Sequence, residues 1–131
     1  ITVMIQPPEN PFHAELRKGI DAARKLVAAL NIQIAVVQTR IDQPQDTARR
    51  ILALPGQTDG LIIAAQDRPE IAGALMAIRA AVPVVTIVTD IEGSGRLAYI
   101  GPDDGRSGRI AADLAIICRT VGVVLAGRGA C

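Results

Sequence analysis

The feature that most constrains this chain is a strict alternation. Short aliphatic runs rich in Ile and Val take turns with longer stretches in which apolar residues recur at helical spacing. Alternation of this kind argues for an α/β domain built on a parallel sheet with right-handed crossovers. The first run, Ile1-Thr2-Val3-Met4-Ile5, carries no period-2 polar alternation, which suits a central strand covered on both faces. It hands the chain to Gln6-Pro7-Pro8-Glu9-Asn10-Pro11-Phe12-His13, where Asn10 is a good N-cap and Pro11 fits the first helical position. Phe12 and His13 then emerge at a positive helix end, an aromatic face and an imidazole held beside free backbone donors.

The spacing predicts a first helix over 11–30, with Leu16, Ile20, Ala23, Val27 and Leu30 inward. A second strand follows over 32–37, ending at Gln38-Thr39. The next helix starts near Pro44, capped by Asp42 or Gln43, and runs to Leu54 before the breaker Pro55-Gly56; its inner face is Ala48, Ile51, Leu52 and Leu54. A third strand is expected over 61–65, then a helix over 70–80 opened by Pro69, with Ile71, Ala74, Leu75 and Ile78 inward. The fourth strand, 82–88, carries Pro83 at its start, where a missing ladder donor is tolerable. The rhythm then breaks: residues 97–100 form a short strand reached without a helix. Through Gly101-Pro102-Asp103-Asp104-Gly105 the chain enters a helix over 106–120 and one more strand over 121–126. A chain that ends on a strand it cannot cover is expected to be cut.

The 131 residues suffice for one domain with a real core, and with one Phe, one Tyr and no Trp that core must be aliphatic. The net charge of +1, from 14 basic and 13 acidic residues spread along the chain, leaves no basic stripe for nucleic acid. Two cysteines, Cys118 and Cys131, are too few for a disulfide framework, and Cys118 sits in an apolar run where it reads as a small buried hydrophobe. No apolar run approaches the ~20 residues of a membrane span. The chain opens at Ile1 inside a strand, so the sequence leaves the compartment undecided.

By strand direction, one edge of the sheet receives residues 10–13, residues 38–42, Gln66-Asp67-Arg68 and Thr89-Asp90. All leave carboxyl ends of parallel strands, where open α/β sheets bind ligands. An aromatic face, amide and carboxylate acceptors and an arginine donor suit a neutral polyhydroxylated ligand. The alternative for Asp42 and Asp67 is helix capping. His13 is the only histidine and has no partner for a metal site or a catalytic triad, so no catalytic residue is assigned. Asp90, Asp103 and Asp104 could form a magnesium site of the phospho-acceptor kind, but Asp104 reads better as an N-cap, and no metal or cofactor is expected. Gly93-Ser94-Gly95 and Gly105-Arg106-Ser107-Gly108 match no nucleotide loop.

Several pieces, in order, carry a resemblance. They are the corner Asn10-Pro11-Phe12-His13-Ala14-Glu15-Leu16 with Gly19-Ile20, the turn Asp59-Gly60-Leu61-Ile62-Ile63, Val82-Pro83-Val84-Val85, and Tyr99-Ile100-Gly101-Pro102-Asp103-Asp104 with Gly108 and Ala111-Ala112. Together they resemble the type I periplasmic-binding-protein fold and, within it, the effector-binding domain of bacterial transcription regulators of the lactose-repressor (LacI) family. The resemblance covers essentially the whole chain. It implies a three-layer α/β/α, Rossmann-like (flavodoxin-like) lobe over 1–100, with 101–131 as the crossover and the first helix and strand of a second lobe. A sugar or related metabolite would be clamped between the lobes. Contacts the resemblance implies for this sequence are Asn10, Phe12 and His13, with Asp103 or Asp104 at the crossover; strand direction adds Gln66, Asp67, Thr89 and Asp90. Such families often carry a second aromatic after the first, a place His13 takes here, and many carry an acid directly after the fourth strand, where this chain has Val88 and the acid follows as Asp90.

Two functions are compatible with that resemblance. One is the sugar-sensing module of a repressor, cytoplasmic and dimeric, that reaches DNA only through a helix-turn-helix upstream of Ile1. The other is a periplasmic protein that delivers sugar to a transporter. Neither involves the membrane directly, and an enzyme would need phosphate-loop glycines or a clustered acid pocket that the sequence lacks.

Overall fold

The structure, a computed structural model, describes residues 1–9 and 11–101. Expectations for Asn10, Asp103, Asp104, the 101–105 turn past Gly101, the two elements after it and both cysteines lie outside the described residues. The described residues fall into two compact units, one of residues 1–7 and 35–101, the other containing residues 8–9 and 11–34.

The first unit is a five-stranded parallel sheet, β1 (Thr2–Ile5), β2 (Ala35–Gln38), β3 (Leu61–Ile63), β4 (Val84–Ile87) and β5 (Ala98–Ile100), in the order β2-β1-β3-β4-β5. β1, β3 and β4 are buried at every residue, as expected of unalternating aliphatic runs. The edge strands β2 and β5 are partly exposed. Two helices belong to this unit, α1 (Pro44–Leu52) and α2 (Pro69–Ile78). Met4, Leu61, Ile63 and Val84 from the strands pack in one aliphatic cluster with Ala48 and Ile51 of α1 and Ile71, Ala74, Leu75 and Ile78 of α2. The predicted face of α2 is thus the buried one, residue for residue.

Differences from expectation have local causes. Leu52 is 51% exposed, because α1 ends there and the chain turns back, through a bond from Leu54 N–H to the Ile51 carbonyl (3.1 Å), to bury Leu54 instead. The fourth strand is shorter than 82–88. Pro83 precedes it and uses its carbonyl to accept the Leu61 N–H (2.9 Å), and Val88 has a φ of 71°, which ends the extended run. β2 starts at Ala35, three residues later than expected. Between β4 and β5 no helix forms. The connection is a loop in which Gly93 and Gly95 hold positive φ, and a Cβ at Gly95 would come within 2.9 Å of the Arg79 side chain.

The second unit contributes α3 (Pro11–Ala28), with Leu16, Ile20, Ala23 and Val27 buried. The expected inward Leu30 is 58% exposed. Asn31 stops the helix first: it takes a φ of 58°, its N–H bonds the Ala28 carbonyl (3.0 Å) and the Ile32 N–H bonds the Val27 carbonyl (3.3 Å). That paired bonding around a left-handed residue is the Schellman closure, for which Asn is the usual substitute for Gly.

Candidate functional site

In this strand order the chain leaves β1 to one side for β2 and then crosses to the other side for β3. The point where the order reverses, at the carboxyl ends of β1 and β3, is where sheets of this kind bind ligands. A shallow cavity, open to solvent, lies there. Gln6 follows β1, Thr39, Arg40 and Ile41 follow β2, and Ala65 and Gln66 follow β3; Pro44 and Thr47 of α1 and Ile71 of α2 complete the lining.

The register explains why these residues meet. Ile5 pairs with Gln38, Met4 with Ile63, Ile63 with Thr86 and Ile87 with Ile100. Carried past the strand ends, the row therefore reads Thr39, Gln6, Ala65, Val88, Gly101, with Ala65 two residues beyond β3 and the others one beyond their strands. Its first step is sealed by the Thr39 N–H donating to the Ile5 carbonyl (2.8 Å) and its last by the Val88 N–H donating to the Ile100 carbonyl (2.9 Å). Both helices of the unit also begin at this edge, each with a proline in the first turn. Neither uses a side chain as N-cap: the cap positions are Gln43 and Arg68, so the capping alternative for Asp42 and Asp67 is not realised. Asp42 instead takes a bidentate pair from Arg40, Nε to Oδ1 at 3.1 Å and Nη2 to Oδ2 at 3.0 Å. That hydrogen bond, helped by the guanidinium charge, holds the fully exposed carboxyl below its ordinary value.

Charge at the mouth is thus cancelled locally, and the first turns of the helices are linked by the Gln45 amide donating to Glu70 Oε1 (3.5 Å). What the cavity offers a ligand is amide and hydroxyl: Gln6, Gln66, Thr39 and Thr47 each donate and accept. Among the described residues no group of three or more His, Cys, Asp or Glu could hold a metal ion. No helix among them is long and apolar enough to cross a membrane.

Of the residues predicted from sequence, Gln66 lines the cavity and Asp67 follows it, exposed. Thr89 and Asp90, both half-buried, follow β4 outside that lining. Asp90 Oδ2 accepts from Arg96 Nη2 at 2.7 Å, while Asp90 Oδ1 is buried with no hydrogen-bond partner. In the second unit, Phe12 is 38% exposed and meets the half-buried His13 edge to face, centroids 5.4 Å apart at 81°, and His13 Nδ1 is buried and unpartnered. Thr39 and Arg40 belong to the stretch 38–42 that strand direction placed at this edge, whereas Gln6 and Thr47 were not among the predicted contacts. Gln6 and Thr39 carried a signal, being the first polar residues after their strands; Thr47 sits one turn inside a helix and carried none.

The profile of the family described as periplasmic binding protein domain matches residues 1–122. No curated protein matches the chain. Among solved structures, the glucose-galactose binding protein GanP from Geobacillus stearothermophilus is similar, with 27% identity and a TM-score of 0.62 over 90% of this chain and 42% of its own. An ABC transporter solute binding protein from Agrobacterium vitis with bound D-fucose shares the fold at 19% identity, TM-score 0.64, over 86% of this chain and 40% of that one. A LacI family transcriptional regulator from Lactobacillus casei with bound sucrose does so at 24% identity, TM-score 0.59, over 88% and 40%. The chain spans about two fifths of the length of these structures.

Proposed function

That the chain belongs to the periplasmic binding protein domain family is the premise from which we propose that residues 1–100 are the first lobe of a sugar-sensing domain in a transcription regulator of the lactose-repressor family, with residues 101–131 leading into the second lobe. The observation that carries this is the cavity at the carboxyl ends of β1, β2 and β3. It presents donors and acceptors without net charge, Gln6, Thr39, Thr47 and Gln66, beside an Arg40–Asp42 pair that neutralises itself. Each hydroxyl of a neutral sugar both donates and accepts, so amides and hydroxyls match it where a fixed charge would not.

Gln66, Asp67, Thr89 and Asp90 serve as further polar contacts in this reading. Asp90 Oδ1 supports it, as a buried carboxylate oxygen that still wants a donor. Asn10, Phe12, His13, Asp103 and Asp104 keep the ligand-contact roles that the family resemblance implies. Effector binding shifts the equilibrium of lobe closure, and a helix-turn-helix domain outside this chain reads the shift on DNA through a homodimer in the cytoplasm. No chemistry on the ligand is proposed. The similarity to the Agrobacterium vitis solute binding protein favours a second reading, periplasmic delivery of sugar to a transporter, which shares the same site.

Calorimetric titration of the intact protein with neutral mono- and disaccharides tests the common core of both readings. Binding is expected, and Gln66→Ala should weaken it by about 1 kcal/mol through loss of a buried hydrogen bond. Absence of binding across the panel overturns both. Sugar-dependent retention of operator DNA by the intact protein separates the regulator from the transport protein.

A further inference from the structure

Ile41 is the one apolar residue of the cavity lining that its own fold does not account for. Four of the lining residues are apolar: Ile41, Pro44, Ala65 and Ile71. Ala65 and Ile71 are buried in the aliphatic cluster between the sheet and its helices, and Pro44 opens α1. Ile41 is not part of that cluster and is 52% exposed. The Gln43 N–H donates to the Arg40 carbonyl (3.2 Å), so residues 40–43 form a β-turn with Ile41 at its first central position. Turn corners favour Pro, Asp, Asn, Ser and Gly, each of which helps the turn through its backbone or a short polar side chain; a β-branched aliphatic does neither. The bidentate Arg40–Asp42 pair, formed by the residues on either side of Ile41, clamps the turn a second time. About half of an isoleucine side chain is thus held in water at the cavity by a fixed backbone, which lowers the entropy lost when something packs on it.

The same cavity is lined by Gln6, Thr39, Thr47 and Gln66, which donate to and accept from hydroxyls. A lining that joins such groups to an exposed aliphatic suits a molecule with both characters, and a pyranose has hydroxyls around its rim and C–H groups on its faces. We infer that Ile41, in the loop after the edge strand β2, contacts the bound sugar and sets its orientation, taking a C–H face of a pyranose ring while the amides and hydroxyls take the rim. Water leaves both the ring face and the isoleucine in that arrangement, whereas a hydroxyl turned to Ile41 would lose its water and find no partner. The inference rests on the sugar-binding reading and adds to it a contact residue and the orientation of the ring.

The test uses the intact protein with D-glucose, D-galactose, D-fucose and sucrose as probes, and carries forward the one that binds most tightly. With the isoleucine δ1 methyls isotopically labelled, and the Ile41 signal assigned by its loss in Ile41→Val, NOEs are expected between that methyl and ring C–H protons of the sugar. Ile41→Ser should weaken binding about 5- to 10-fold, the equivalent of leaving roughly half an isoleucine unburied. It should also make the heat-capacity change of binding less negative, the mark of lost apolar burial. Ile41→Leu, which keeps the volume and the apolar character, should stay within about twofold of the wild type. Neither substitution is expected to lower the melting temperature, because the side chain is half in water. Sugar binding with no NOE from the Ile41 methyl, or with an affinity that survives Ile41→Ser, overturns the inference and leaves the sugar-binding reading intact. Failure to bind any of the probes overturns the inference together with that reading.

Discussion

The carboxyl ends of β1, β2 and β3 and the connection from β4 to β5 lie in the same unit and obey different rules. At the first, the crossovers within the unit are helices, α1 and α2 start at the cavity, and charged groups find partners at the surface. At the second, residues 88–97 replace a helix with a loop, hold three positive φ angles at Val88, Gly93 and Gly95, and bury polar atoms without partners: Asp90 Oδ1, Ser94 Oγ and Arg96 Nε, with Thr86 Oγ1 on the strand before them. Of the five such orphaned atoms among the described residues, four belong to this segment and its strand. Local rules are broken where a sequence is serving something other than its own fold. The regular region supplies a scaffold with a hydrogen-bonding surface at its edge, and the irregular one keeps polar atoms that its own fold does not satisfy.

The largest expected effect lies in the regular region. Ile63→Ala removes a fully buried side chain from the cluster between the sheet and α1 and α2, and should cost about 2–5 kcal/mol in urea unfolding, with a cavity left behind. A loss below about 1 kcal/mol would mean that this layer is looser than its burial implies. Next comes the ion pair that spans the irregular loop. Arg96→Ala leaves Asp90 without its partner, and because both side chains are only partly exposed, 29% and 38%, the expected loss is about 1–2 kcal/mol. If the loop tolerates that change without loss, the contrast between the regions weakens.

Smallest is the pair in the regular region. Asp42 has a lowered pKa from its bond to Arg40, so any stability it contributes is present above the ordinary carboxylate range and disappears as pH falls through the folded-state value. Since Asp42 is fully exposed, Asp42→Asn should leave the melting temperature at neutral pH unchanged within error, and any acid-side change should vanish in high salt.

Much of the scaffold was legible in the sequence because its signals are local. The apolar spacing of Ile71, Ala74, Leu75 and Ile78 placed the face of α2, and unalternating runs marked the buried strands. Errors came where a single backbone conformation decided the outcome: Asn31 ending α3 before Leu30, and the turn after α1 that exposes Leu52 and buries Leu54. Val88 was read as the last residue of a strand, since nothing in the preference of a valine predicts a left-handed φ; the bonds that hold it come from Tyr99 and Ile100, more than ten residues away. The cavity lining was hard for the same reason. Gln6 stands beside Thr39 and Ala65 only through the register of β1 with β2 and β3, which is long-range information.

The central claim, that the carboxyl edge of this sheet is the binding surface, is tested most directly by hydrogen exchange of the intact protein with and without a neutral sugar that it binds. The account predicts new protection at the amides of Gln6, Thr39 to Ile41, Gln66 and Thr89 to Asp90. Protection confined to the opposite edge, at Gly60 and Leu61 or at Val84, with none at the carboxyl ends, would contradict it.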